Sequence, residues 1–230
     1  MKHVSIFSQP VLLALACVAG CTPSMQAQAP PNQQFGKAMV ENAAELRKYS
    51  FKQRTEVSMK GEVKSVRLDQ VRFDLDGKLE RTPLTPVVAE APNARGLRGK
   101  VVAKKREETA EYVERLMSLA RRYLAPGRDD LEKLSGKAEI WKGQGVTGNQ
   151  VRVQATDFVQ NGDYFVWSLD AVAKLPVRME TRTELDGDPV TITAEYRTLP
   201  SGLNYVARAT VKSPRKDLEV KVESFDYERN

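Results

Sequence analysis

The side chains best suited to chemistry in this 230-residue chain crowd into its first 21 positions: the sole histidine, His3, and both cysteines, Cys17 and Cys21. Around them lie a cationic start at Lys2 and the apolar run Val11-Leu12-Leu13-Ala14-Leu15-Ala16. That layout reads as an export signal, with an apolar run too short to span a bilayer as a stable helix. Removing residues 1–20 leaves no histidine and one cysteine, Cys21, with 35 Lys+Arg against 30 Asp+Glu. Nucleophilic machinery that relies on a histidine base is then excluded, and so is an internal disulfide. Zinc and copper sites lose their usual ligands. No catalytic residue, no metal ligand and no cofactor is assigned. Only carboxylate, lysine or tyrosine chemistry is left for an enzyme, and the chain reads as a non-enzyme.

Three groups of residues remain as candidates. Asp74, Asp76, Asp186 and Asp188 sit beside Gly77 and Gly187 without the alternating ligand set or closing Glu of an EF-hand, so they read as turn residues. A glycosidase-like pair of acids needs only two carboxylates brought together, and nothing in the sequence selects which two. Arg95, Arg98, Lys100, Lys104, Lys105 and Arg106 place six cations within twelve residues. They are candidates for contact with anionic headgroups, at about 1 kcal/mol per cation near a charged surface. The plainer alternative is a solvated loop and helix start, balanced by Glu107, Glu108, Glu111 and Glu114. Phe51, Val57, Met59, Phe73, Val177, Met179, Ile192 and Tyr205 are candidate ligand-lining residues of a concave face, and Trp141 and Trp167 belong with them. For any one of these the plainer alternative is ordinary core.

The elements that would position them follow from periodicity. Residues 22–36 are polar and proline-rich, a flexible tether. Lys37 to Tyr49 suits a short amphipathic helix. A period of two then begins: Phe51, Val57 and Met59 are apolar and the positions between mostly charged, as in a half-buried strand. From Val63 to Leu75 the apolar phase slips from Val66 and Leu68 to Val71 and Phe73, which predicts a β-bulge near Asp69–Gln70. Asp76-Gly77 predicts a hairpin turn into Lys78–Leu84. Prolines and glycines through 83–102 predict a long loop, and Ala103 to Leu124 a helix with one apolar stripe. A second short helix is expected from Asp129 to Leu134. Strands are expected at 138–142, 149–158, 163–170, 175–185, 189–198, 203–212 and 217–227, joined by turns such as Asn161-Gly162 and Asp186-Gly187. The run 163–170 is apolar on both faces and belongs centrally or under a helix. Val113, Leu116, Ala120 and Tyr123 are the candidate lid residues by which helix 103–124 would cover the sheet.

The sum is an α+β, mostly β chain: a curved antiparallel sheet of about ten strands with an N-terminal helix and an inserted helical lid. Two resemblances sharpen this. Val18-Ala19-Gly20-Cys21 resembles the lipobox of bacterial lipoproteins, a branched apolar residue and two small ones before the cysteine that becomes acylated. It implies a signal peptide at 1–20, lipidation of Cys21 with the tether running to residue 36, and a membrane attachment through that lipid. Thr22 lacks the acidic retention signal, which by the same resemblance implies the periplasmic face of the outer membrane. The helix-into-strand stretch Ala44 to Val57 is similar to the opening of the half-barrel superfamily of periplasmic lipoprotein carriers and outer-membrane lipoprotein receptors (LolA/LolB-like). That resemblance spans residues 37–228 in element order, within a domain taken as 37–230 with a loop-helix insertion at 83–135. It implies a concave face that takes a lipid, a lipoprotein acyl chain or another apolar ligand. The alternative is an envelope scaffold with a packed sheet that binds a protein partner, and a carboxylate-dependent hydrolase stands third. Nucleic acid is not an expected partner of an exported, anchored protein.

Overall fold

The computed structural model describes residues 31–74, 78–84, 97–141 and 149–230. The export signal, Cys21, Asp76 and Arg95 lie outside them. The chain opens with helix α1 (Pro31–Leu46), followed by strands β1 (Tyr49–Met59), β2 (Glu62–Phe73) and β3 (Leu79–Pro83). Helices α2 (Leu97–Leu124) and α3 (Arg128–Lys137) come next. They lead into β4 (Glu139–Trp141), β5 (Gln150–Thr156), β6 (Tyr164–Asp170), β7 (Pro176–Leu185), β8 (Asp188–Thr198), β9 (Asn204–Ser213) and β10 (Leu218–Arg229). The strands form one ten-stranded antiparallel sheet in the order β3-β2-β1-β10-β9-β8-β7-β6-β5-β4. The two halves of the sheet therefore meet through the last strand of the chain, which pairs with the first.

Alternation decides which way each strand faces. In β7, Met179, Thr181 and Thr183 are buried while Arg178, Glu180, Arg182 and Glu184 are exposed. The exposed face is wet and ion-paired: Arg208 reaches both Glu195 and Glu223, and Arg54 reaches Glu56 and Glu223. Such exposed pairs contribute only tenths of a kcal/mol each. Stability comes from the other face, where Trp167, Phe165, Leu169, Met179, Ile192, Val211 and Val220 are all almost fully buried against Leu116, Ala120 and Tyr123 of α2 and Leu131 and Leu134 of α3. The tight turn at Asp186 (φ 52°) and Gly187 (φ 76°) has both residues left-handed, the backbone a two-residue hairpin needs.

Four expectations shift. Helix α1 begins at Pro31, inside the segment read as tether. Helix α2 begins at Leu97, six residues before the expected start at Ala103, and Lys100 to Glu108 are all exposed, so no apolar stripe marks that stretch. The bulge expected at Asp69–Gln70 is absent. Pairing with β1 runs unbroken from Phe51↔Val71 to Val57↔Ser65, and the slip falls at Val57/Ser58. The phase change in β2 has another cause: Val66 and Leu68 lie on the outer face, while Asp69, at 1 % exposure, occupies the inner face beside Val71. Finally, Val177 turns outward (37 % exposed) instead of lining the concave face. The register slips between Ser168 and Leu169, so β7 carries an extra residue there and both Val177 and Arg178 point to solvent.

Candidate functional site

An apolar cleft lies where α1 and α3 close over one end of the half-barrel. Phe35 and Met39, one turn apart on α1, form one wall with Gly36 between them. Leu131 and Leu134 of α3, with Ala138, form the second, and Val153 of β5 with Trp167 and Leu169 of β6 the floor. Its open volume is about 20 Å³, room for roughly one water molecule. A Cβ added at Gly36 would meet nothing within 4 Å. Trp167 Nε1 is buried without a well-formed hydrogen bond, as is the Tyr196 hydroxyl. The indole lies near enough to that hydroxyl to ease its ionisation, yet burial dominates and pushes Tyr196 well above the usual tyrosine range.

The walls differ in how firmly they are held. Among its described side chains, α1 has none that is fully buried. A specific polar tie is Asn42, whose Nδ2 donates to the Asn204 carbonyl (2.7 Å) and whose Oδ1 accepts from the Asn204 N–H (2.7 Å). Asn204 is itself fixed, its Nδ2 donating to the Pro176 carbonyl at 2.9 Å. Helix α2 is held far more tightly. Besides its apolar stripe, its Tyr123 hydroxyl lies 2.7 Å from Asp163 Oδ2 and 3.0 Å from Thr183 Oγ1, and Tyr112 meets the buried Ser213 hydroxyl at 2.9 Å. Burial raises the Tyr123 pKa well above the ordinary value.

The sequence-predicted residues distribute unevenly around this arrangement. Leu116, Ala120 and Tyr123 are fully buried and Val113 packs beside them, with Tyr112 and Leu119 completing the stripe. They close over Met179 and Ile192, which are fully buried in the same core, so that part of the concave face is filled. Val57 and Met59 pack half-buried at its border. Phe51 stands apart, stacked on Tyr227 at 4.7 Å, and Tyr205 lies 4.4 Å beyond Tyr227. Phe73 is half-buried, paired with Leu79 at the sheet margin. The cations Lys100, Lys104, Lys105 and Arg106 stand on the exposed first half of α2, with Lys104 3.9 Å from Glu108. The side chains of Arg98 and Trp141 are outside the described set. Asp74 accepts from the Lys78 N–H at 2.7 Å, Asp186 pairs with Arg115 at 2.7 Å, and Asp188 faces Arg215 and Lys216. These acids serve turns and surface pairs. Of the cleft residues, Met39 fell within the expected helix 37–49 and Trp167 and Leu169 within the doubly apolar run 163–170. Phe35 was hidden inside the tether, and Leu131 and Leu134 in a helix too short to show a stripe.

No family profile matches this chain, and no curated protein sequence matches it. Solved structures show a distant similarity to it. One is a DUF1329 family protein from Desulfovibrio piger (10% identity, 87% of this chain and 93% of that chain covered, TM-score 0.43). A second is a LolA superfamily protein from Nitrosomonas europaea (8% identity, 85% and 93% covered, TM-score 0.40). A third is described as an outer membrane lipoprotein-sorting protein domain, from Vibrio parahaemolyticus (12% identity, 86% and 93% covered, TM-score 0.40).

Proposed function

We propose that this chain is a lipid-anchored, periplasm-facing, non-enzymatic envelope protein whose half-barrel binds an acyl chain of a lipid or lipoprotein through the α1–α3 cleft. The observation that carries the reading is the wholly apolar cleft roofed by α1, the helix with no fully buried side chain among its described residues. In its closed form the cleft admits no chain, so α1 is the wall that moves. Lifting it exposes two half-buried apolar side chains and breaks the two Asn42 bonds, on the order of 3–5 kcal/mol. A buried acyl chain returns about 0.8 kcal/mol per methylene, on the order of 10 kcal/mol for a palmitoyl chain. The balance favours opening when a chain is present and closure when it is absent.

The test uses the two tryptophans. In a Trp141→Phe background only Trp167 reports, and brominated palmitate should quench it in a saturable way. Gly36→Leu fills the empty space and replaces a helix-interior glycine, worth up to about 1 kcal/mol in stability. It should raise the melting temperature while abolishing quenching. Absence of quenching in the parent, or undiminished quenching in Gly36→Leu, overturns the cleft reading. The closed core beneath α2 then favours the scaffold alternative.

A further inference from the structure

The phase slip in β2 marks a polar cluster that the apolar cleft does not use. Asp69 is 1 % exposed on the inner face of β2. Arg67 Nε lies 2.7 Å from its Oδ2 and Arg81 Nη1, from β3, lies 3.8 Å away. Neither contact is a directed hydrogen bond, and neither carboxylate oxygen has an acceptor role filled. Arg81 spends one N–H on Gln53 Oε1 (2.5 Å), and Gln53 in turn donates to Ser224 Oγ (3.2 Å). Burial first, then Arg121 and Arg67, lower the Arg81 pKa, and Asp69 offsets this only in part.

Two guanidiniums thus meet one carboxylate, an excess of one positive charge, and the carboxylate still lacks a directed donor. An unbalanced charge at a buried acid is unfavourable in an isolated domain. Both deficits are met by one kind of group: an oxyanion with a hydrogen-bond donor attached. Guanidiniums suit it because they fork onto phosphate and carboxylate oxygens. We infer that Arg67 and Arg81 bind a phosphate-class oxyanion on the concave side of β2–β3, with Asp69 accepting a hydrogen bond from a hydroxyl that the same group carries. A free phosphate monoanion and the head of a phosphorylated amphiphile share this chemistry. The site stands independently of the cleft and would complement it.

Titration calorimetry with inorganic phosphate at low ionic strength, then dodecyl phosphate and dodecyl maltoside below their micellar concentrations, tests it. Inorganic phosphate should bind at millimolar concentration, at least threefold more weakly in Arg67→Lys, which keeps the charge beside Asp69 and loses the guanidinium fork. Asp69→Asn removes the competing charge and should tighten phosphate severalfold, an opposite sign that a purely structural role would not produce. Dodecyl phosphate tenfold tighter than both inorganic phosphate and the maltoside identifies an amphiphile head; equal affinity for both phosphates identifies a free oxyanion. Failure of both phosphates to bind, or binding indifferent to Arg67→Lys and Asp69→Asn, overturns the inference. Neither result bears on Trp167 quenching, so the cleft and this site fail separately.

Discussion

If α1 is the moving wall, α2 must be the fixed one, and the Tyr123–Asp163 contact measures how fixed. Tyr123 has one hydroxyl proton and two partners. Asp163 only accepts, so the proton goes there, and the Thr183 hydroxyl donates to Tyr123 while accepting from Gln160 Nε2 at 2.7 Å. Asp163 also collects the Phe158, Val159 and Gln160 N–H groups at 2.8, 2.8 and 3.1 Å. In Tyr123→Phe the carboxylate keeps those three donors and loses one charge-assisted bond, a cost of about 1.5–3 kcal/mol. Asp163→Ala strands the buried hydroxyl and three backbone donors together, about 3–5 kcal/mol. Once Asp163 is gone, removing the Tyr123 hydroxyl is close to neutral, so the double variant should fall short of the sum by about 1.5 kcal/mol or more. Urea titrations followed by circular dichroism yield all four stabilities. At roughly 2–4 °C per kcal/mol for a domain of this size, Tyr123→Phe should melt about 3–12 °C lower. Its uptake of an apolar fluorescent probe should equal that of the parent, since the cleft does not open on this side. Additive costs, or a Tyr123→Phe variant as stable as the parent, refute the pinning argument. Increased probe uptake would make α2 the lid.

Other consequences are simpler to check. Leu116, fully buried, should cost about 2–5 kcal/mol as Leu116→Ala, and Leu116→Asp should leave too little native sheet signal for a melt to be measured. Alkaline pH should destabilise the domain: burial first raises Tyr123, Tyr196 and Tyr227 above the ordinary tyrosine value. The unfolded chain therefore loses these protons first, and stability, full below about pH 10, falls by up to about 1.4 kcal/mol per pH unit per tyrosine above it; a flat urea midpoint from pH 9 to 11 contradicts this. For the anchor, labelled palmitate should enter the wild-type chain and not Cys21→Ser, and equal label in both would remove the lipidation proposal.

Strand placement was legible because a half-wet sheet writes its faces into alternate residues. From β5 to β10 every strand was anticipated to within two residues at each end, and the left-handed pair Asp186-Gly187 announced its own turn. What escaped the sequence did so for identifiable reasons. Lys100 to Glu108 of α2 are all exposed, so no apolar stripe marked the start of that helix. Phe35, one turn before Met39, lay in a proline-flanked polar stretch whose composition argued for a tether, so the helix was expected to begin at Lys37 rather than Pro31. A bulge displaced Val177 without leaving a trace in its own alternation. The most instructive miss is β2, where a buried carboxylate mimics a bulge: Asp69 on the inner face, flanked outside by Leu68, gives the same slip in apolar phase as an inserted residue would. The two causes differ in chemistry. A bulge resets the register and leaves the inner face apolar, whereas a charged inner residue keeps the register and needs partners. Here the register holds through Asp69, and the partners supplied are an excess of guanidiniums. A phase slip centred on an acidic residue, with arginines two positions before it and on the next strand, therefore points to a buried polar site more directly than to a bend.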